Sequence, residues 1–274
     1  MMHPIHDRTW AAAYHILFDE AGEGCVLEQK ELQQDAALLA MLGRFAESVQ
    51  SPALQVTGSL FIKRYALLIA GALHGFIRNQ VALDVSLDRM KLVWKEPVLQ
   101  FVVESEEQPA CVIGIEDEKE RRSSYFRHLF ADQVVPMLSR VSQVTKIDED
   151  TLWGTVSYSL AYWKEQWLNS ELTAGERAHI ETCFAELMDA DGKTQFAGKD
   201  MNPLTAAFRR VNNPWDDKTV LVRSKCCLFY CLPGKKEGHC YTCPKISDEL
   251  RLDKYAQAHG YGNRPEPLTA SAKS

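Results

Sequence analysis

The sequence predicts an α+β protein, mostly helical, with a small antiparallel sheet near residues 83–115 and a cysteine-rich segment close to the C-terminus. Three observations carry this reading. Several long stretches repeat apolar residues at helical spacing. Short β-rich runs separated by turn-forming or charged residues are confined to residues 83–115. Five of the eight cysteines fall within the 18 residues from 226 to 243. The 274 residues suffice for one large domain or two modest ones. We divide them into an N-terminal helical region (1–57), a main α+β body (58–217), a cysteine segment packed on that body (218–260) and a tail (261–274).

Taken in order, residues 7–18 and 29–49 read as helices. The second places Leu32, Leu38, Leu39, Leu42 and Phe45 at near-helical spacing and is broken by Ser51-Pro52. Residues 58–77 are rich in Ala and Gly, which suits a buried helix packed closely on its neighbours. LDVSL, KLVW, VLQFVV and ACVIGI then supply three or four short strands. Residues 118–144 predict one long helix kinked at Pro136, and residues 148–169 another. Thr173 and Glu176 form the capping box of the next helix, which ends near Asp191-Gly192. Residues 196–217 are partly irregular, and residues 247–259 form a final short helix.

Composition excludes several classes. Apolar residues make up 46% and charged residues 25%, which is globular usage and not that of a disordered chain, a collagen or a coiled-coil rod. The net charge of −6 argues against a non-specific nucleic-acid partner. No secretory signal is visible at the N-terminus. In the longest apolar run, Lys63 and Arg64 leave 13 uncharged residues from Tyr65 onward, short of the roughly 20 needed to cross a bilayer. A cytoplasmic protein is expected, membrane-peripheral at most. Cysteine clusters in that compartment are metal or redox sites more often than disulfides.

The cysteine segment carries the chemistry. Its spacing is Cys226-Cys227-x12-Cys240-x2-Cys243. A C-x2-C turn lets two thiolates converge on one metal, and the adjacent pair supplies two more, provided the chain bends at Cys226–Cys227. Four thiolates suit tetrahedral zinc or an iron–sulfur cluster. Standard zinc ribbons use two C-x2-C pairs, so the Cys-Cys dipeptide favours iron–sulfur. A zinc-binding structural or interaction module without redox activity is the alternative. Cys231 is a spare thiol that reads as a small core residue, and Cys25, Cys111 and Cys183 are scattered.

This constellation, with Cys243-Pro244 at its end, resembles the FhuF-type siderophore-iron reductases. LFIKRYALLIAGALHG (60–75) and LWGTVSYSLAYW (152–163) look similar as well, so the resemblance covers residues 58 to 245. The spacer is 12 residues where the family has ten, and the excess falls in the LPGKKEGH loop. The resemblance implies that Cys226, Cys227, Cys240 and Cys243 hold a [2Fe-2S] cluster in an oxidoreductase that reduces ferric hydroxamate or citrate-hydroxamate siderophores. The electron would come from a separate carrier such as a ferredoxin or flavodoxin, and the resemblance leaves room for a peripheral contact with a siderophore transporter. FhuF-like regions also resemble part of siderophore synthetases, whose ATP-binding portion has no counterpart here.

Arg223, Lys225, Lys235 and Lys236 surround the cysteines with positive charge, together with His239. These four are the expected substrate-binding residues, able to attract an anionic chelate. Phe229, Tyr230, Tyr241 and Trp215 read as packing. No general base or nucleophile is evident beyond the cluster residues. His74 reads as a core or boundary histidine, and Asp189-Ala-Asp191-Gly192 as a turn, because its glycine comes too early for a calcium loop. P-loop, dinucleotide and nucleophile-elbow signatures are absent.

Overall fold

Helix α2 (Leu54–Asn79) is the axis on which the other elements pack. In the computed structural model, the described residues are 8–18, 25–28, 34–86, 89–95, 98–103, 109–215, 218–234 and 238–262. From Val56 to Ile77 almost every α2 side chain is buried. Helices α1 (Asp35–Val49), α4 (Val135–Thr145), α5 (Glu149–Leu168) and α6 (Ala174–Met188) lie against it. Its small residues make those approaches close. A Cβ on Gly71 would sit 2.5 Å from Ile16 Cδ1 and 2.7 Å from Tyr14 Cβ, and one on Gly58 would sit 2.7 Å from Thr145 Oγ1. Gly71→Ala is therefore expected to cost about 1–3 kcal/mol by overpacking. That lowers the melting temperature by roughly 2–10 °C in a thermal denaturation series; an unchanged melting temperature would contradict the packing.

Among the described residues, α2 is the one helix long and apolar enough to cross a membrane, and 83% of its apolar window is buried inside the protein. It serves as a core helix.

The molecule is mostly helical with few strands, the expected α+β class, but the sheet is assembled differently. Its order is β1 (Ile16–Phe18), β4 (Val98–Val103), β3 (Met90–Lys95), β2 (Cys25–Glu28). The β3–β4 and β2–β3 pairs are antiparallel, whereas β1 runs parallel to β4. Two of the four strands thus come from the N-terminal region. Of the helix expected over 7–18, the described residues 8–18 form none. A 3-10 turn (Thr9–Tyr14) stops at His15, which adopts a left-handed φ of 59°, and the chain then extends into β1. Of the four runs expected as strands, LDVSL is loop as far as Ser86. ACVIGI is a 3-10 turn (Ala110–Val112), because Pro109 precedes it and Gly114 follows at φ 75°.

The helix expected over 118–144 is interrupted in an informative way. It consists of α3 (Glu118–Arg127), a π-helical turn (His128–Val134) and α4, with Pro136 in the first turn of α4. Widening the turn before a proline accommodates the ring and the missing N–H. The cap of α6 is as expected, with Thr173 and Glu176 exchanging both hydrogen bonds. Asp191 caps the short helix α7 (Gly192–Gln195), so the DADG segment is a capping turn. An antiparallel ribbon, β5 (Arg209–Asn212) and β6 (Thr219–Val222), lies within and just after the stretch expected to be irregular, and it leads the chain into the cysteine segment. Helix α8 (Asp248–His259) closes the described fold, capped by Ser247 and ended by Gly260. The expected tail lies outside the described residues beyond position 262.

Candidate metal centre

Strand β6 ends at Val222, and the cysteines follow within a few residues. The Arg223 N–H donates to the Thr242 carbonyl at 2.9 Å, which ties the strand exit to the C-x2-C turn. The Cys243 N–H donates to the Cys240 carbonyl at 3.0 Å and closes that turn. The Cys-Cys dipeptide is held from the other side. The Ser59 hydroxyl of α2 donates to the Cys227 carbonyl at 2.9 Å. The expected bend falls one residue later, at Leu228, whose φ is 58°. This left-handed residue turns the backbone so that the Leu228 and Phe229 N–H groups reach the sulfurs of Cys226 and Cys227.

The result is convergence. Cys226, Cys227, Cys240 and Cys243 line one recess with Arg223, Phe229, Tyr230 and His239. Cys227 and Cys243 are buried, and Cys226 and Cys240 are half-buried. The Cys243 thiol lies 3.5 Å from the Cys226 sulfur. A hydrogen bond joins the Cys227 and Cys240 sulfurs. The hydrogen bond from Cys240, helped by Arg223 and Lys63, favours the thiolate at Cys227, while the same bond and burial keep Cys240 protonated. Burial pushes the Cys226 thiol up to about 11. Positive charge is therefore placed where thiolates need it.

The donor set fits a metal. Ligand atoms of Cys226, His239 and Cys243 lie within 4.8 Å of one another, and this group could hold a metal ion. His239 Nε2 is buried without a hydrogen-bond partner, and its ring stacks on Tyr230 at 4.1 Å. A buried nitrogen left unpaired costs free energy, which a metal ligated there would recover. Cys231 lies in a 3-10 turn (Phe229–Cys231) and packs against the hydrophobic core instead of lining the recess.

The expected basic residues separate. Arg223 lines the recess, donates through Nε to Thr242 Oγ1 at 3.2 Å and lies 3.8 Å above the Tyr158 ring. Lys225 does not line it; its ammonium is exposed and 4.0 Å from Asp148. Lys235 and Lys236 lie outside the described residues. Of the aromatic residues expected as packing, Phe229 and Tyr230 face the thiols, whereas Trp215 stacks on Tyr261.

Three contributors escaped the sequence reading, and His239 was read there only as a charge. Arg251 is fully buried and donates to the carbonyls of Tyr241 (2.5 Å), Cys243 (2.9 Å) and Ile246 (3.1 Å), so it holds the C-x2-C turn from behind. Ser59 and Lys63 reach the site from α2, and His239 adds a donor. The signal that existed was Lys63-Arg64, two adjacent cations inside an otherwise apolar helix. No protein-family model and no curated protein matches this chain.

Proposed function

We propose that this protein is a [2Fe-2S] ferric-siderophore reductase, in keeping with its resemblance to the FhuF-type enzymes. The observation that carries this reading is the convergence of four thiols, from two chain segments, on one recess. Cys226, Cys227, Cys240 and Cys243 would hold the cluster, and when bound it supplies a one-electron centre whose potential follows hydrogen bonding, charge and exposure. The chain's own residues prepare that place. Ser59 and Arg251 fix the two cysteine turns. Lys63 and Arg223 set positive charge beside Cys227, and Phe229 and Tyr230 line the recess. The substrate is ferric iron in an oxygen-donor chelate. A hard trivalent cation is held tightly by such ligands; one electron from a separate carrier, a ferredoxin or flavodoxin, gives ferrous iron, which the chelate holds far less tightly.

A second reading has one observation in its favour. The unpartnered His239 Nε2 beside Cys226 and Cys243 would complete a Cys/His zinc site in a structural module. The two readings diverge on colour and on His239. Anaerobically purified protein is expected to be red-brown, with iron and sulfide, bands bleached by dithionite and an EPR signal when reduced. His239→Ala should leave those bands in place. A colourless protein carrying one zinc, lost on His239→Ala, would establish the zinc site and end the redox reading.

A further inference from the structure

Beside the thiol recess lies a second pocket of about 350 Å³, within the ordinary size range of small-molecule sites. Arg223 and Cys240 belong to both. Its wall carries three cations, Lys63, Arg64 and Arg223, and four large aromatic residues, Tyr158, Tyr162, Trp163 and Tyr241, with no carboxylate. We propose that this pocket binds the anionic end of a carboxylate-bearing ferric chelate, such as a citrate-hydroxamate complex, against the Cys240 wall. The inference rests on the reductase reading and assigns its substrate contacts.

The cations are out of their usual setting. Lys63 and Arg64 lie in the most buried helix of the fold, and burial lowers the pKa of both. Among the described residues neither has an ion-pair partner within 4.0 Å. The aromatic neighbour of Lys63 is the Phe229 ring, 4.9 Å from its ammonium. Both residues are half-buried, and a partly desolvated charge without a counter-charge is costly, so the site is electrostatically complementary to an anion. The charge on Lys63 and Arg223 could be absorbed by thiolates, since both act on Cys227. Arg64 is different. It lines the pocket but not the thiol recess. Arg64 therefore separates chelate binding from stabilisation of the metal centre.

The surroundings fit a larger ligand. A neighbouring recess of about 780 Å³ shares Tyr158, Tyr162, Tyr241 and Thr242 with the pocket. A chelate anchored at the cationic end could extend its remaining arms there. Cys240 on the shared wall keeps the ferric centre beside the sulfur ligands, as electron transfer requires.

The test uses gallium(III), which has the charge and ligand preference of ferric iron and cannot be reduced under these conditions. The gallium complex of a citrate-bis(hydroxamate) chelator, an anion, is titrated calorimetrically into the full chain at low salt. The gallium complex of a linear trihydroxamate amine, a cation, serves as the comparison. Wild type is expected to bind the anion at least tenfold more tightly than the cation. Arg64→Gln should weaken anion binding about tenfold, and Arg64→Lys should restore most of it. Equal affinity of wild type and Arg64→Gln for the anionic complex, or preference for the cation, would overturn the pocket. The visible spectrum and metal content of each variant are recorded alongside. Arg64-dependent binding by a protein without iron–sulfur bands would keep the pocket and remove the reductase reading. Full bands with Arg64-independent binding would do the reverse.

Discussion

Replacing Cys243 with serine is expected to give a protein without visible absorption and with ferric-chelate reduction lowered by more than about 100-fold, since even changes outside the ligand shell cost 10–100-fold at metal sites. Cys243 is 2% exposed, and its sulfur lies 3.5 Å from that of Cys226. A serine hydroxyl there is a poor ligand for soft metal centres and cannot fill the space of sulfur. Cys231→Ser provides the matched control. Cys231 lies four residues after Cys227 but packs on the core outside the recess, so that variant should keep its bands and its turnover. Absorption spectra, iron content and turnover of the two variants decide the matter. Equal loss in both, or normal colour in Cys243→Ser, would contradict the ligand assignment. Stability should follow the same division, because metal affinity in a site formed only on folding is folding free energy.

The second large effect belongs to Arg251. Its guanidinium is fully buried and donates to three carbonyls, and through Nε to Asp248 Oδ1 at 3.1 Å. Asp248 in turn takes both fork nitrogens of Arg209, at 2.5 and 2.7 Å, and these hydrogen bonds hold its carboxyl down to about 2. Arg251→Met removes the fork and leaves buried acceptors unpaired. Each such acceptor costs about 1–3 kcal/mol, and breaking a buried charged network costs about 3–5 kcal/mol. The melting temperature should fall by roughly 6–20 °C. Arg251→Lys should rescue little, since an ammonium cannot span three carbonyls in the plane of a guanidinium. The reading that separates a positioning role from general stability is metal content at a temperature where the variant is still folded. It should drop as the C-x2-C turn loosens. Full metal content with a melting temperature within 2–4 °C of wild type would sink the role assigned to Arg251.

Much of the local structure was legible because it is made by near neighbours. The Thr173–Glu176 box spans three residues, and the Asp191 turn and the Ser247-capped α8 are as local. The buried α2 announced itself through its small and apolar run, although Lys63 and Arg64 were informative in a way that hydropathy did not reveal. Along the chain they only shorten an apolar segment. In the fold they become the cationic wall of a pocket. The misread elements were those whose state depends on a distant partner. Ile16–Phe18 is a strand because β4, some 85 residues on, offers it a free edge. The ACVIGI run has strand composition, yet Pro109 and Gly114 leave it too short to pair.

The same boundary runs through the candidate site. The amino-acid sequence by itself determined the α+β class, most helix positions and caps, and the grouping of four cysteines apart from the other four. These depend on composition and on spacing within a few turns of chain. Only the tertiary structure decided which groups hold and surround those cysteines. Ser59 meets Cys227 across 168 residues, Arg251 braces the turn from α8, His239 brings an unpaired nitrogen, and Lys225 turns away to Asp148. Hydrogen bonds and desolvation act over a few ångströms in space, and no pattern along the chain records which distant side chain will be brought within that range.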